Sequence, residues 1–109
     1  MNKSAIAVLA FALAVAPAAF AAPNAKNGKD VYMRACATCH AADGNGKETV
    51  AKLMQAAIPP LGSKQVQALT NAEIAKQIKE GKGKMPPVRG LTDAQVDDVI
   101  AFVRTFAKK

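Results

Sequence analysis

Two thiols and an imidazole stand together at Cys36-Ala37-Thr38-Cys39-His40, and they are the only cysteines and the only histidine of the 109-residue sequence. Thiols two residues apart at the end of a helix can reach the two vinyl groups of one haem and form thioethers with them, and the next residue then lies beneath the iron. C-x-x-C-H is the spacing this attachment uses. Neutral imidazole is a good iron ligand, and its place one residue after a covalent tether fixes the ring close to the metal. Three other chemistries draw on similar residues. A structural zinc site normally needs four Cys or His ligands, and the chain cannot supply them. A thioredoxin-like C-x-x-C needs a βαβ setting, and no alternating strand pattern is present. An idle thiol pair is uncommon in an exported chain, and a disulfide between Cys36 and Cys39 would tie down almost no chain.

A second axial ligand has to come from elsewhere. With His40 the sole histidine, bis-His ligation within one chain is excluded, which leaves Met, Lys or an open position. Met1 leaves with the export segment described below. Met33 lies three residues before Cys36, too close in sequence to wrap to the far face. Met54 falls on the apolar side of a short helix and reads as core packing. Met85 differs, because Pro86 disfavours helical geometry at the residue before it and biases Met85 to extended backbone. A proline-stiffened strap can hold a thioether at the iron, so Met85 stands first among the candidates, with Met54 and an open position behind it. An open position would give a five-coordinate haem suited to gas binding or peroxidase-like chemistry.

The elements that must position these groups read as helices. Gly28, Val31, Tyr32 and Ala35 recur at i, i+3, i+4 and i+7, one face of a helix that runs into Cys36. Asp43-Gly44-Asn45-Gly46 is a turn cluster. A short second helix is expected over Val50 to Ala57, with Val50, Leu53, Met54 and Ala57 on one side, stopped by Pro59-Pro60. Thr70-Asn71-Ala72-Glu73 matches a capping box and opens a helix that turns Ile74 and Ile78 inward and ends near Gly81. After a loop from Lys82 to Gly90, Thr92-Asp93-Ala94-Gln95 is a second capping box, followed by Val96, Val99, Ile100, Val103 and Phe106 at helical spacing. The expected class is all-α.

The first 21 residues read as an export signal rather than part of the fold. Lys3 precedes an uncharged apolar run from Ala5 to Ala16, Pro17 breaks it, and Ala19-Phe20-Ala21 gives the small-x-small cleavage pattern. The run is shorter than the ~20 residues of a membrane span. Cleavage would leave residues 22–109 as one domain, thin for burying a core, which a bulky apolar cofactor would help to fill. The expected location is the periplasm of a bacterium. Fifteen Lys and Arg against eight Asp and Glu give a formal charge of +7 and a pI near 9.7. An export signal, one Tyr, no Trp and no clustered Arg run speak against nucleic acid. An acidic protein partner or an anionic surface fits the compartment better.

The chain resembles the class I cytochromes c, particularly the short bacterial ones, over nearly all of residues 22–109. The residues that bear the likeness are Gly28-Lys29-Asp30-Val31-Tyr32 leading into Cys36-Ala37-Thr38-Cys39-His40, then Asp43-Gly44, Pro60-Leu61, Met85-Pro86-Pro87 and the amphipathic C-terminal helix. The resemblance implies a small cytochrome c fold, about four helices wrapped around one covalently bound haem c, with Cys36 and Cys39 attached and His40 and Met85 on the iron. It implies a monomeric electron carrier, not an enzyme, that meets redox partner proteins. It further implies a mid-chain proline carbonyl, Pro60 or its neighbour Pro59, accepting from the His40 Nδ1–H, which would orient the ring and raise its basicity. Finally it implies packing of Gly28 and Tyr32 against Ile100, Phe102 or Val103. Lys47, Lys52, Lys64, Lys82, Lys84 and Arg89 fall in segments that should surround the haem.

Overall fold

A computed structural model describes residues 22–108. The export segment expected over residues 1–21 lies outside them. The first helix, α1 (Ala25–Ala35), begins at Asn24, whose side chain accepts from the Asn27 N–H and so satisfies one of the donors a helix start leaves open. Past Cys36 a single further turn, α2 (Ala37–His40), holds the rest of the C-x-x-C-H run. Then come α3 (Glu48–Met54), ended by a left-handed Gln55, and the one-turn α4 (Lys64–Gln67), capped by the Ser63 hydroxyl. α5 (Asn71–Glu80) and α6 (Asp93–Arg104) both open with complete capping boxes, Thr70 with Glu73 and Thr92 with Gln95. Among the described residues there is no strand, only an isolated antiparallel bridge between Lys82 and Met85. The all-α expectation holds, and no described helix is long and apolar enough to cross a membrane.

The packing centre is the crossing of α1 and α6. A Cβ on Gly28 would lie 1.9 Å from the Asp98 carbonyl oxygen, so only glycine lets the two backbones meet there. The expected packing of Gly28 and Tyr32 on the last helix is met, with Gly28 nearest the backbone at Asp98 and Val99 and the Tyr32 ring against Phe102. Asp98 also accepts from the Asn24 N–H at 2.8 Å, tying the start of α1 to the same point. Val96, Val99, Ile100 and Val103 bury one stripe of α6, and Ile74 and Ile78 bury the facing stripe of α5. Each such side chain contributes about 1.5–3 kcal/mol of transfer free energy. Tyr32 is fully buried, its ring 5.1 Å from Phe102 and 5.5 Å from Phe106, tilted or edge-on to each.

Arg104 fastens the middle of the chain to this centre. Its guanidinium donates to the carbonyls of Gln67 and Leu69 and to the Asn71 side chain, while the Gln67 amide donates to Leu61 O and Val103 O. The α4 turn and the strap around Leu61 are held against α6 in this way.

The structure corrects two elements. The second helix covers Glu48–Met54 instead of Val50–Ala57, because Gln55 adopts φ 51 and its N–H bonds back to Lys52 O, unwinding the chain before Ala57. Leu53, expected on the inward side, is 84% exposed. The α4 turn was not expected at all.

Candidate cofactor site

The helices enclose a mainly apolar cavity of about 500 Å³, and the four residues singled out for chemistry, Cys36, Cys39, His40 and Met85, all line it. Such a volume falls in the range of small-molecule and cofactor sites. Ile74, Ile78, Val99 and Val103 from the inward stripes of α5 and α6 line it as well, with Leu69 from the link before α5.

The C-x-x-C-H wall is built by continuing α1. Cys36 N–H donates to Tyr32 O, and the N–H groups of Cys39 and His40 both return to Cys36 O. The run is locked from behind, since Gly46 N–H donates to His40 O at 2.8 Å and Lys47 N–H to Cys39 O at 2.9 Å. Just after His40 the backbone of Ala41 turns to φ 65, ψ 162, a conformation few residues other than glycine accept. The Tyr32 hydroxyl donates to the Ala41 carbonyl and holds that turn. Burial above all, then the charges of Cys36 and Asp43, pushes the Tyr32 phenol up to about 12, so it stays a donor.

Both cysteines are free thiols, half-buried. Burial, and next the neighbouring Cys39, pushes the Cys36 thiol up to about 11. Reactive redox cysteines have depressed values, and burial acts in the opposite direction at Cys36. Burial lowers the His40 imidazole below its ordinary value and favours the neutral form a metal binds.

His40 Nδ1 is buried without a hydrogen-bond partner. An unpaired buried polar atom ordinarily costs about 1–3 kcal/mol. The expected bond to a mid-chain proline carbonyl, Pro60 or Pro59, is not formed, since Nδ1 has no partner, and the Pro60 carbonyl accepts from the Ser63 N–H at 3.1 Å where the chain turns into α4. The His40 imidazole, the two cysteine sulfurs on the same cavity and its mainly apolar lining form a donor set that fits a haem: thioethers from the sulfurs, the other ring nitrogen as ligand and hydrocarbon walls for the macrocycle.

Met85 comes to the cavity on a tight turn. Lys82 N–H donates to Met85 O at 3.0 Å and Met85 N–H to Lys82 O at 2.9 Å. A Cβ at Gly81 would come within 2.6 Å of Met85 O, so this glycine makes room for the strap. Met54 reaches the same cavity instead of packing into the core, while Met33 is 45% exposed and does not line the cavity. Sequence reasoning missed the structural roles of Lys84 and the Tyr32 hydroxyl. Ser63 directly after Gly62 was a readable N-cap signal for α4.

An all-α shell around an apolar cavity, with C-x-x-C-H on its wall, defines a c-type cytochrome. The family model described as "Cytochrome C oxidase, cbb3-type, subunit III" matches residues 23–103. Cytochrome c6 of Picosynechococcus sp. is 33% identical over 102 residues, covering 91% of this chain and 86% of that protein. Cytochrome c6 of Cyanidium caldarium is 30% identical over 86 residues, 79% of this chain and 74% of that protein. The solved KustC0563 c-type cytochrome shares the fold with a TM-score of 0.64 at 31% identity, covering 74% of this chain and 98% of that one. The chain belongs to the class I c-type cytochromes, which bind haem c covalently and transfer electrons.

Proposed function

We propose that the protein is an exported carrier of single electrons, with one haem c attached through Cys36 and Cys39 and ligated by His40 and Met85. The observation that supports this reading most directly is the meeting of all four residues on one apolar cavity. Bound there, the haem supplies a one-electron ferric/ferrous couple. The chain's own residues do the rest. His40 and Met85 would fill both axial positions and leave none for a substrate, which makes the protein a carrier rather than an enzyme. A soft thioether favours ferrous iron and raises the potential relative to bis-His ligation. The walls from α5 and α6 keep water from the redox centre. Residues 1–21, with Lys3, the apolar run and Ala19-Phe20-Ala21, support export to the periplasm. The basic loops near the cavity, Lys82 among its lining, support an acidic face on the redox partner.

The test is made on protein expressed with its export segment and haem-attachment machinery. It should keep the mass and colour of one haem through denaturation, and extraction of the colour into acidified organic solvent would sink the covalent assignment. In the ferric state it should be low-spin, with the long-wavelength charge-transfer band of a methionine–iron bond. Met85→Ala should abolish that band and Met54→Ala should leave it. The reverse pattern would transfer the ligand to Met54, which lines the same cavity.

A further inference from the structure

The turn that brings Met85 to the cavity is fastened at its tip by a lysine. Gly83 and Lys84 are its two central residues, closed by the reciprocal Lys82 and Met85 hydrogen bonds, with a positive φ of 56 at Gly83 and none at Lys84, the pattern of a II′ hairpin. From this tip the Lys84 ammonium reaches across to α3. It donates to Met54 O at 2.7 Å, with Gln55 O at 3.4 Å.

Those two acceptors sit where α3 ends. The last carbonyls of a helix lack intrahelical partners and form the negative end of its dipole, so a cation there satisfies both needs. The Gln55 and Ala56 N–H groups already close the last turn on Lys52 O and Ala51 O, and the ammonium takes up the Met54 and Gln55 carbonyls that this cap leaves over. The contact therefore joins two segments that each bring a methionine to the cavity, Met54 from α3 and Met85 from the turn. On its other side the strap is tied to α5, Val88 N–H donating to Ile78 O at 2.8 Å. Lys84 supplies the tie toward α3.

We propose that Lys84 is a positioning residue, a latch that fastens the Met85 turn to the end of α3 and keeps the Met85 side chain at the cavity. The inference rests on Met85 as axial ligand, and it treats Lys84 as part of the frame rather than as one more charge on a docking surface.

The experiment uses the haem-loaded ferric protein with imidazole as competing ligand, the limiting rate at saturating imidazole reporting how often the Met85 strap opens. Lys84→Gln removes the ammonium, Lys84→Arg keeps a donor of similar reach, and Arg89→Gln removes an exposed charge from the following loop while leaving the latch. Lys84→Gln should raise the limiting rate about three- to tenfold, the range for losing one solvent-exposed hydrogen bond. It should also speed hydrogen exchange at the Gln55 and Ala56 amides, which close the last turn of α3 on Lys52 O and Ala51 O. Lys84→Arg and Arg89→Gln should stay near wild type in both measurements. Equal effects of Lys84→Gln and Arg89→Gln would overturn the proposal, since net charge alone would then be acting. Unchanged exchange at Gln55 and Ala56 would overturn it as well. If Met85→Ala leaves the charge-transfer band in place, the ligand assignment has failed, and the latch is then decided on exchange alone: faster exchange in Lys84→Gln upholds it, and no change removes it.

Discussion

At the scale of single residues, the link that follows His40 is the most strained point near the site. Ala41 holds φ 65 with ψ 162, and a side chain in that region costs about 1–3 kcal/mol. Glycine would adopt it freely, at a cost of about 0.5–1 kcal/mol from the greater freedom of the unfolded chain. Ala41→Gly is therefore expected to stabilise the haem-loaded protein by about 1 kcal/mol, read as a higher guanidinium midpoint at unchanged slope. A lowered midpoint would show that the Tyr32 hydroxyl bond relieves the turn more than the backbone angles suggest. This strain could not be read from the sequence, where Ala41-Ala42 is merely a small-residue link. That Cys36, Cys39 and His40 belong together at one site was legible for the opposite reason, because C-x-x-C-H combines rare residue types at the spacing that haem attachment uses. Met85 was legible through Pro86, a local conformational constraint. The arrival of Met54 at the same cavity was not, since it depends on where Gln55 turns the chain, and nothing about glutamine announces a left-handed conformation. The bond from the Ser63 N–H to the Pro60 carbonyl was hidden too, because it belongs to the turn into α4, which the sequence reading did not include.

At the scale of elements, the two capping boxes fixed α5 and α6 almost to the residue, and their junction contains a titratable contact. Lys79 near the end of α5 pairs with Asp93, the first residue of α6, at 2.6 Å. Each charge also faces the favourable end of its own helix dipole. The Lys79 hydrogen bond, then its charge, holds the Asp93 carboxyl below its ordinary 3.8, and Asp93 raises Lys79 above its ordinary 10.5 in the same order of causes. A depressed carboxylate contributes stability that is present above its unfolded value and is lost as pH falls through the lower folded one. The raised lysine contributes below 10.5 and loses that contribution as pH climbs through its higher folded value. Asp93→Asn should thus lower the urea midpoint modestly near neutrality and converge on wild type in acid, below the folded value of Asp93. A constant difference down to strong acid would assign the effect to helix capping instead of charge. The pair is exposed, so the effect at neutrality should be small and reduced by salt. The sequence revealed α5 and α6 because capping is local. It gave α3 only in part and no sign of the tie from Lys84, because a contact spanning 30 residues leaves no periodic trace.

At the scale of the whole molecule, the excess of positive charge is the property a partner meets first, and the structure narrows which charges are free to be met. Lys52 pairs with Glu48, Lys76 lies at 4.0 Å from Glu80, Lys79 pairs with Asp93, and Lys84 is committed to carbonyls at the end of α3. Substituting Lys84 would therefore disturb the strap as well as the charge, and a steering experiment needs other positions. Lys82 lines the cavity, and Lys64 precedes two residues that do, Gln65 and Val66. Lys26 and Lys29 are exposed on α1 and do not line the cavity. Charge beside a redox centre can raise association with an oppositely charged partner by about ten- to a thousandfold at low salt. Electron transfer with an acidic redox protein should accordingly slow steeply as salt rises, while transfer with a neutral small-molecule oxidant barely changes. Lys64→Gln with Lys82→Gln should flatten the salt dependence for the acidic protein far more than Lys26→Gln with Lys29→Gln, although each double variant removes the same charge. Equal flattening by both pairs would mean that total charge alone attracts the partner and that docking does not favour the cavity face.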